Sequence, residues 1–341
     1  MTRHLLTAPV LAVLLVVSAG NSHTRGASSQ GQGRSAVNPS VLVLSNANIV
    51  DVVSGTVRRD HTVTIRNGRI IAIEPGSRSP VPTGAQVSDA TGKYLIPGLV
   101  DMHVHWYDEP YLGLFLANGV TGVRVMFGNE VHLEWRSRME NGELLGPRLA
   151  IASPIVDGPN PRWPGSLAVT DPESARAAVS RLQADGYDFI KVYNGVPRDA
   201  FFALAREASS RGLPVAGHVP RTVSLAEVSD SGQRSIEHLG GLLYAVSREG
   251  GKARQTAAPP RPGERAPSAG TLAAAWKVNE PLLASYDASK AAALFARFVK
   301  NGTWQCPTFD AAAGTRVPSR SRVHERRAVE VHAEEREAIV E

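Results

Sequence analysis

From Leu95 onward the chain repeats one pattern, a short apolar run followed by a stretch of helix-like composition. The runs are Leu99–His105, Thr121–Phe127, Arg148–Ser153, Phe189–Tyr193, Val215–His218, Ser235–His238 and Trp304–Thr308. Runs this brief read as buried strands rather than helices. Two of the intervening stretches carry clear helix signals. Asp171-Pro172-Glu173 combines a capping acid, proline at the first helical position and an early carboxylate. It leads through Ala175, Val179 and Leu182 to Gly186, and Pro197 to Gly212 repeats the period with Phe201, Phe202, Leu204 and Ala205 on one face. Strand–helix alternation predicts an α/β fold with a parallel sheet, either closed as a (β/α)8 barrel or open and doubly wound.

The residues that end the strands separate those two possibilities. Leu99 to His105 closes on His103 and His105, spaced by one residue, so both imidazoles leave the strand on the same side. Lys191 lies in the fourth run, His218 ends the fifth and His238 ends the sixth. Polar groups at the C-terminal ends of strands one, four, five and six converge only if the sheet closes. Each residue alone has a plainer role open to it. Lys191 could be a strand-end lysine paired with an acid, and either single histidine a core group bonded to backbone.

This ordered series, from about Val41 to Thr308, resembles the amidohydrolase superfamily, most closely its imidazolonepropionase-like and prolidase-like members. The resemblance implies a (β/α)8 metal-dependent barrel beside a small N-terminal β-sandwich. It also implies metal ligands at His103, His105, Lys191, His218 and His238, with Lys191 carbamylated so that it bridges two ions. An aspartate after strand eight would bind metal and handle the proton, and no residue of this chain matches it. Asp310 follows strand seven too closely, and Arg316 stands after Ala313-Gly314-Thr315 where the acid is expected. With strand eight also missing, the expectation is a C-terminally truncated product that hydrolyses little by itself.

The implied organisation is a signal peptide over 1–20, a lead-in over 21–40, β structure over 41–94 and the incomplete barrel over 95–341. Arg3 and His4 precede an apolar stretch from Leu5 to Val17, and Val17-Ser18-Ala19 offers small residues for cleavage. The stretch is too short to span a membrane, so export to a periplasm or the exterior is expected, without stable membrane association afterwards. Residues 21–40 are too polar to order themselves. Thr62–Arg66, Asn67-Gly68 and Arg69–Ile73 read as a β-hairpin, because Asn-Gly takes positive φ at both central positions. Glu249 to Gly270, rich in Pro, Gly, Ala and Arg, is either a lid or an inert insertion, and Val323 to Glu341 reads as an exposed helix. The net charge of +5 is spread along the chain. No basic stripe with interleaved aromatics forms, so nucleic acid is not an expected partner.

Imidazole and carboxylate-type oxygens suit zinc or another borderline divalent ion. Two ions about 3.5–4 Å apart can share a hydroxide, and a bound ion lowers the pKa of water to about 7. The expected reaction is hydrolysis of a carbon–nitrogen bond in a small amide or dipeptide by metal-activated hydroxide, with two divalent ions, zinc in the family pattern. A deaminase, an imidazolonepropionase-like hydrolase of cyclic amides and an exported metal-binding fragment without turnover are the alternatives. A homo-oligomer is left open. Tyr193 shares a face with Lys191 and either packs the core or orients a substrate carboxylate or carbonyl. Asp101 sits deeper on the His103 face and can orient a ligand. Glu237 is expected on the face opposite His238 in a structural role, His132, His324 and His332 in solvent, and Cys306 as a buried inert thiol.

Overall fold

The computed structural model describes residues 41–76, 80–251 and 279–308. The signal peptide, the lead-in, nearly all of the 249–270 stretch, Asp310, His324, His332 and the helix expected over 323–341 lie outside these residues. The chain forms two compact units. One runs up to Arg124 and takes in Glu134–Ala150; the other comprises Val125–Leu133 and the chain from Ile151 onward.

The first unit opens with a five-stranded sheet. Strands β1 (Val41–Asp51), β2 (Thr56–Arg66), β3 (Arg69–Pro75) and β4 (Gln86–Asp89) lie in the order β3-β2-β1-β4, and β5 (Tyr94–Leu95) also pairs with β1. The hairpin falls where Asn67-Gly68 placed it: Arg66 pairs with Arg69, and the two turn residues take φ of 49° and 71°. Both positive values match the twist of the flanking strands. Leu44, Ala47, Ile49, Val63, Ala90 and Leu95 form the core of this sheet. No second layer completing a sandwich is present among the described residues.

The same unit continues into β6 (Leu99–Val104), α1 (Tyr111–Ala117), β7 (Val120–Val125) and β8 (Arg148–Ile151), with the strands in the order β6-β7-β8. Helix α2 (Glu130–Glu140) connects β7 to β8. Gly98 starts β6 against Thr121: a Cβ there would stand 2.0 Å from Thr121 Oγ1, closer than any side chain permits. Trp106 follows the strand into the core, its ring edge-on to Phe115 at 5.1 Å and stacked on Trp135 at 6.0 Å. Burial of that ring fixes the backbone that carries His105.

The second unit is a parallel sheet of β9 (Val156–Asp157), β10 (Leu167–Ala168), β11 (Ile190–Val192), β12 (Val215–Gly217), β13 (Ser235–Glu237) and β14 (Trp304–Cys306), in the order β10-β9-β11-β12-β13-β14. Ala152, just past β8, makes a parallel bridge to Phe189. Strands β11 to β14 thus follow chain order, as alternation predicts, while β9 and β10 add a flap that periodicity did not show. Helices α3 (Pro172–Ala184), α4 (Arg198–Ser210), α5 (Leu225–Asp230), α6 (Leu242–Val246) and α7 (Ala288–Asn301) accompany these strands. Helix α4 buries Phe201, Leu204 and Ala205 as its period predicts, but Phe202 turns outward beneath Arg198, whose guanidinium sits 5.0 Å from the ring. Fully burying a side chain such as Phe201 or Leu204 contributes about 1.5–3 kcal/mol.

Helix ends are closed by side chains. The Asp171 carboxylate accepts the N–H groups of Glu173 and Ser174, and Ser174 bonds back in a capping box. Ser224 and Glu227 cap α5 in the same way, and Arg198 binds the Glu227 carboxylate to tie α4 to α5. These bonds hold both acids low. Asp171 falls to about 2, chiefly through the Ser174 N–H, and Glu227 falls to about 2, chiefly through Arg198. A depressed folded-state pKa gives stability that is complete above the unfolded value and lost as pH falls toward the folded one. Acid unfolding should therefore steepen between the ordinary carboxylate range and about pH 2. Replacing Asp171 and Glu227 with their amides should flatten that segment of a circular-dichroism titration.

Candidate metal centre

In the first unit, His103 and His105 leave the end of β6 with their Nε2 atoms 3.1 Å apart and their rings edge-on, centroids 5.0 Å apart. Two imidazole nitrogens on one ion, each at about 2.0–2.1 Å, stand about 3.3 Å apart in tetrahedral geometry. The pair therefore fits a shared cation with little movement. Asp101 accepts the backbone N–H of His103 at 3.0 Å, so its carboxylate fixes the strand end that carries the imidazole.

In the second unit, Lys191 occupies the middle of β11 and is only 1% exposed, among the largest fully buried side chains described. Its N–H bonds the Oγ of buried Ser153 at 3.1 Å. Phe189, two residues earlier on the same face, packs with Met126, Ala152 and Ala216 into an apolar layer. Next to Lys191, Gly217 takes φ of +130°, and a Cβ there would lie 2.3 Å from the Val192 carbonyl and 3.1 Å from Lys191 Cδ. Glycine at this point lets the Lys191 stem run beside β12. A methyl at 217 is both sterically excluded and conformationally strained. Gly217→Ala should cost at least about 1–3 kcal/mol, the usual range for overpacking, and lower the denaturant midpoint accordingly. A midpoint unchanged from the wild type would show that Lys191 needs no such room.

His218 and His238 follow β12 and β13. Their rings meet edge-on with centroids 5.0 Å apart. His218 Nδ1 lies 3.2 Å from Asn194 Oδ1, and His238 Nδ1 lies 2.6 Å from Thr308 Oγ1. A hydrogen bond at Nδ1 fixes the ring and gives the ligand role to Nε2. The Tyr193 ring lies against His218 with centroids 4.2 Å apart, and its hydroxyl accepts the Trp163 indole N–H at 3.1 Å. The structure therefore brings His103 to His105, and His218 to His238, Tyr193 and the neighbourhood of Lys191.

Three sequence readings change. His132 is fully buried rather than solvated: its Nδ1 accepts the Asn129 N–H at 3.2 Å and caps the start of its own helix. Glu237 does not sit on a plain opposite face, because His238 leaves the strand with a left-handed φ of 59° and breaks the alternation. Its carboxylate is buried and accepts the Ser235 hydroxyl at 2.6 Å. Ser235 is in register with Ala216, and Ala216 with Lys191, so Glu237 belongs to the Lys191 face of the sheet. Cys306 is half-buried rather than enclosed. Sequence reasoning also missed Asn194 and Thr308, whose only signal is a polar residue just past a strand end. A cleft of about 700 Å³ in the second unit, lined by Asn129, Glu130, Ser166, Arg181 and Tyr187 among others, contains none of the candidate ligands. The donor chemistry, not the cleft, locates the site.

No family model matches the chain. Adenine deaminase 2 of Bradyrhizobium sp. (strain ORS 278) is 26% identical over 221 residues, which cover 56% of this chain and 34% of that protein. The dihydroorotase of Carboxydothermus hydrogenoformans is 40% identical over 95 residues, 25% of this chain and 21% of that protein. The chain thus spans about a third or less of the length of these relatives. Among solved structures, a protein from Bifidobacterium longum assigned as a prolidase is 28% identical with a TM-score of 0.51, covering 59% of this chain and 54% of that one. A Xaa-Pro dipeptidase with bound methionine has a TM-score of 0.55 at 18% identity, with 79% of both chains covered, a likeness of fold.

Proposed function

We propose that this chain, which belongs to the amidohydrolase superfamily, carries the metal-binding part of an enzyme that hydrolyses a carbon–nitrogen bond in a small amide or dipeptide. The observation that carries this reading is Lys191, a fully buried lysine at the strand position next to Gly217, the residue that leads into His218, whose ring meets that of His238 edge-on. Carbamylation would turn the same side chain into an anion with two oxygens, and cations held by the histidines would balance it. The fit is therefore to two divalent ions, zinc first because imidazole dominates the donor set. His103 and His105 would hold one in the first unit, and His218, His238 and a carbamylated Lys191 would hold the other in the second. Bound ions would supply Lewis acidity toward the scissile carbonyl and lower the pKa of water to about 7.

The chain's own residues then have definite tasks. Asn194 and Thr308 hold the two imidazoles of the second unit by their Nδ1 atoms. Tyr193, braced by Trp163, presents a hydroxyl beside His218 that can donate to a substrate carbonyl or carboxylate. Deamination is the second reading, supported by the likeness to adenine deaminase 2. We also take Leu5–Val17 as a secretory leader, which places the activity outside the cytoplasm. The test is amine release by the zinc-loaded chain from Xaa-Pro dipeptides, cyclic amides and adenine, before and after chelation. Release from dipeptides that chelation abolishes and zinc restores supports the reading. Release from adenine alone selects the deaminase, and none from any substrate favours a metal-binding chain without turnover.

A further inference from the structure

We propose that Asp157 is a positioning residue that sets the orientation of His218 and the placement of Trp163 together. Asp157 ends β9 and is 2% exposed. Its Oδ1 accepts the N–H groups of Gly158 at 2.9 Å and Gly195 at 2.8 Å, and its Oδ2 accepts the N–H of Arg162 at 3.1 Å. One buried carboxylate thus gathers backbone donors from two loops, one after β9 and one after β11. The backbone leaves room for nothing else. A Cβ at Gly195 would stand 2.6 Å from Asp157 Oδ1, and one at Gly158 would stand 2.0 Å from the Gly195 carbonyl.

Each loop carries part of the candidate site. Gly195 is preceded by Asn194, which holds His218 Nδ1, and by Tyr193, whose ring lies against the His218 ring. Arg162 is followed by Trp163, whose indole N–H reaches the Tyr193 hydroxyl and whose ring lies under the Arg162 guanidinium at 5.5 Å. Asp157 touches neither an imidazole nor the aromatic wall. It acts through the backbone: Oδ1 governs the loop that orients His218, and Oδ2 governs the loop that places Trp163. The inference about His218 rests on the metal-centre reading, whereas that about Trp163 stands without it.

The two oxygens can be separated. In Asp157→Asn the single remaining carbonyl oxygen should face the two donors of Gly158 and Gly195, leaving the amide NH2 opposed to the Arg162 N–H. Asp157→Ala removes both acceptors. Zinc affinity of the full chain, measured by competition with a chelator, reads the His218 loop. Quenching of Trp163 fluorescence by acrylamide, taken as the difference from a Trp163→Phe counterpart, reads the other. Asp157→Ala should weaken zinc about 10–100-fold, as loss of groups that orient a ligand typically does. It should also raise the quenching of Trp163, which is 42% exposed in the wild type, above the wild-type level. Asp157→Asn should raise the quenching of Trp163 above the wild-type level while leaving zinc affinity as in the wild type. A merely structural role would move both readouts together in both variants, and that result overturns the proposal. So does a folded Asp157→Ala protein with wild-type zinc affinity and wild-type quenching. If the alanine variant does not fold, Asp157→Asn decides by itself, and unchanged Trp163 quenching counts against the proposal. A wild-type chain that binds no zinc defeats the metal-centre reading instead, while the Trp163 readout still tests the Oδ2 link.

Discussion

Replacing His218 and His238 together with alanine should remove one ion per chain, and replacing His103 and His105 together should remove another. Each pair is already preorganised: the first through an Nε2–Nε2 separation of 3.1 Å, the second through edge-on rings anchored at Nδ1 by Asn194 and Thr308. A metal ion bound by two imidazoles and few other protein groups loses most of its affinity when both go. Elemental analysis of the purified chain after dialysis against a weak chelator makes the comparison. The His103/His105 variant should retain the ion of the second unit, because Lys191, His218 and His238 all belong to that unit. Unchanged metal in both double variants would sink the ligand assignment.

The second large effect concerns Lys191. Its side chain is 1% exposed and runs beside β12, where Gly217 leaves it room, so it is shielded from solvent as a carbamate needs to be. Carbon-13 bicarbonate should therefore label the metal-loaded wild-type chain with a carbamate signal that Lys191→Ala lacks. The alanine variant should bind less metal, and formate or acetate should restore part of it by filling the vacated space with a carboxylate. Lys191→Met, which keeps the volume without the nitrogen, should not be rescued, because the space is then occupied. A free Lys191 amine at full metal occupancy would contradict its role as a ligand.

The parts of this site legible in the sequence are those written locally. An apolar run that ends in a polar ligand-type residue announces both the strand and its functional tip, and β6, β11, β12 and β13 fall where those runs predicted. The capping signal Asp171-Pro172-Glu173 likewise gave the start of α3. What escaped was made by tertiary contact. Strands β9 and β10 are two residues each, too short for any period, and exist because Val156 and Asp157 find backbone partners in Tyr193 and Val169. Asn194 and Asp157 look like ordinary loop residues until the fold brings His218 and Gly195 to them. His132 has Glu130, Glu134 and Arg136 around it, which suggested solvent, yet its ring folds back on the helix start and is covered. At His238 the left-handed backbone defeats strand alternation, so the face of Glu237 could not be counted from the sequence.

The central proposal, that the two histidine pairs are metal ligands and that Lys191 is a carbamylated one, is tested most directly by anomalous diffraction at the zinc edge from crystals of the zinc-loaded full chain. The expected map shows anomalous peaks against the Nε2 atoms of His218 and His238 and of His103 and His105, with the Lys191 side chain extended by a carboxylate in contact with zinc. Peaks confined to other residues, or zinc at these histidines with Lys191 ending in a bare amine, would contradict it.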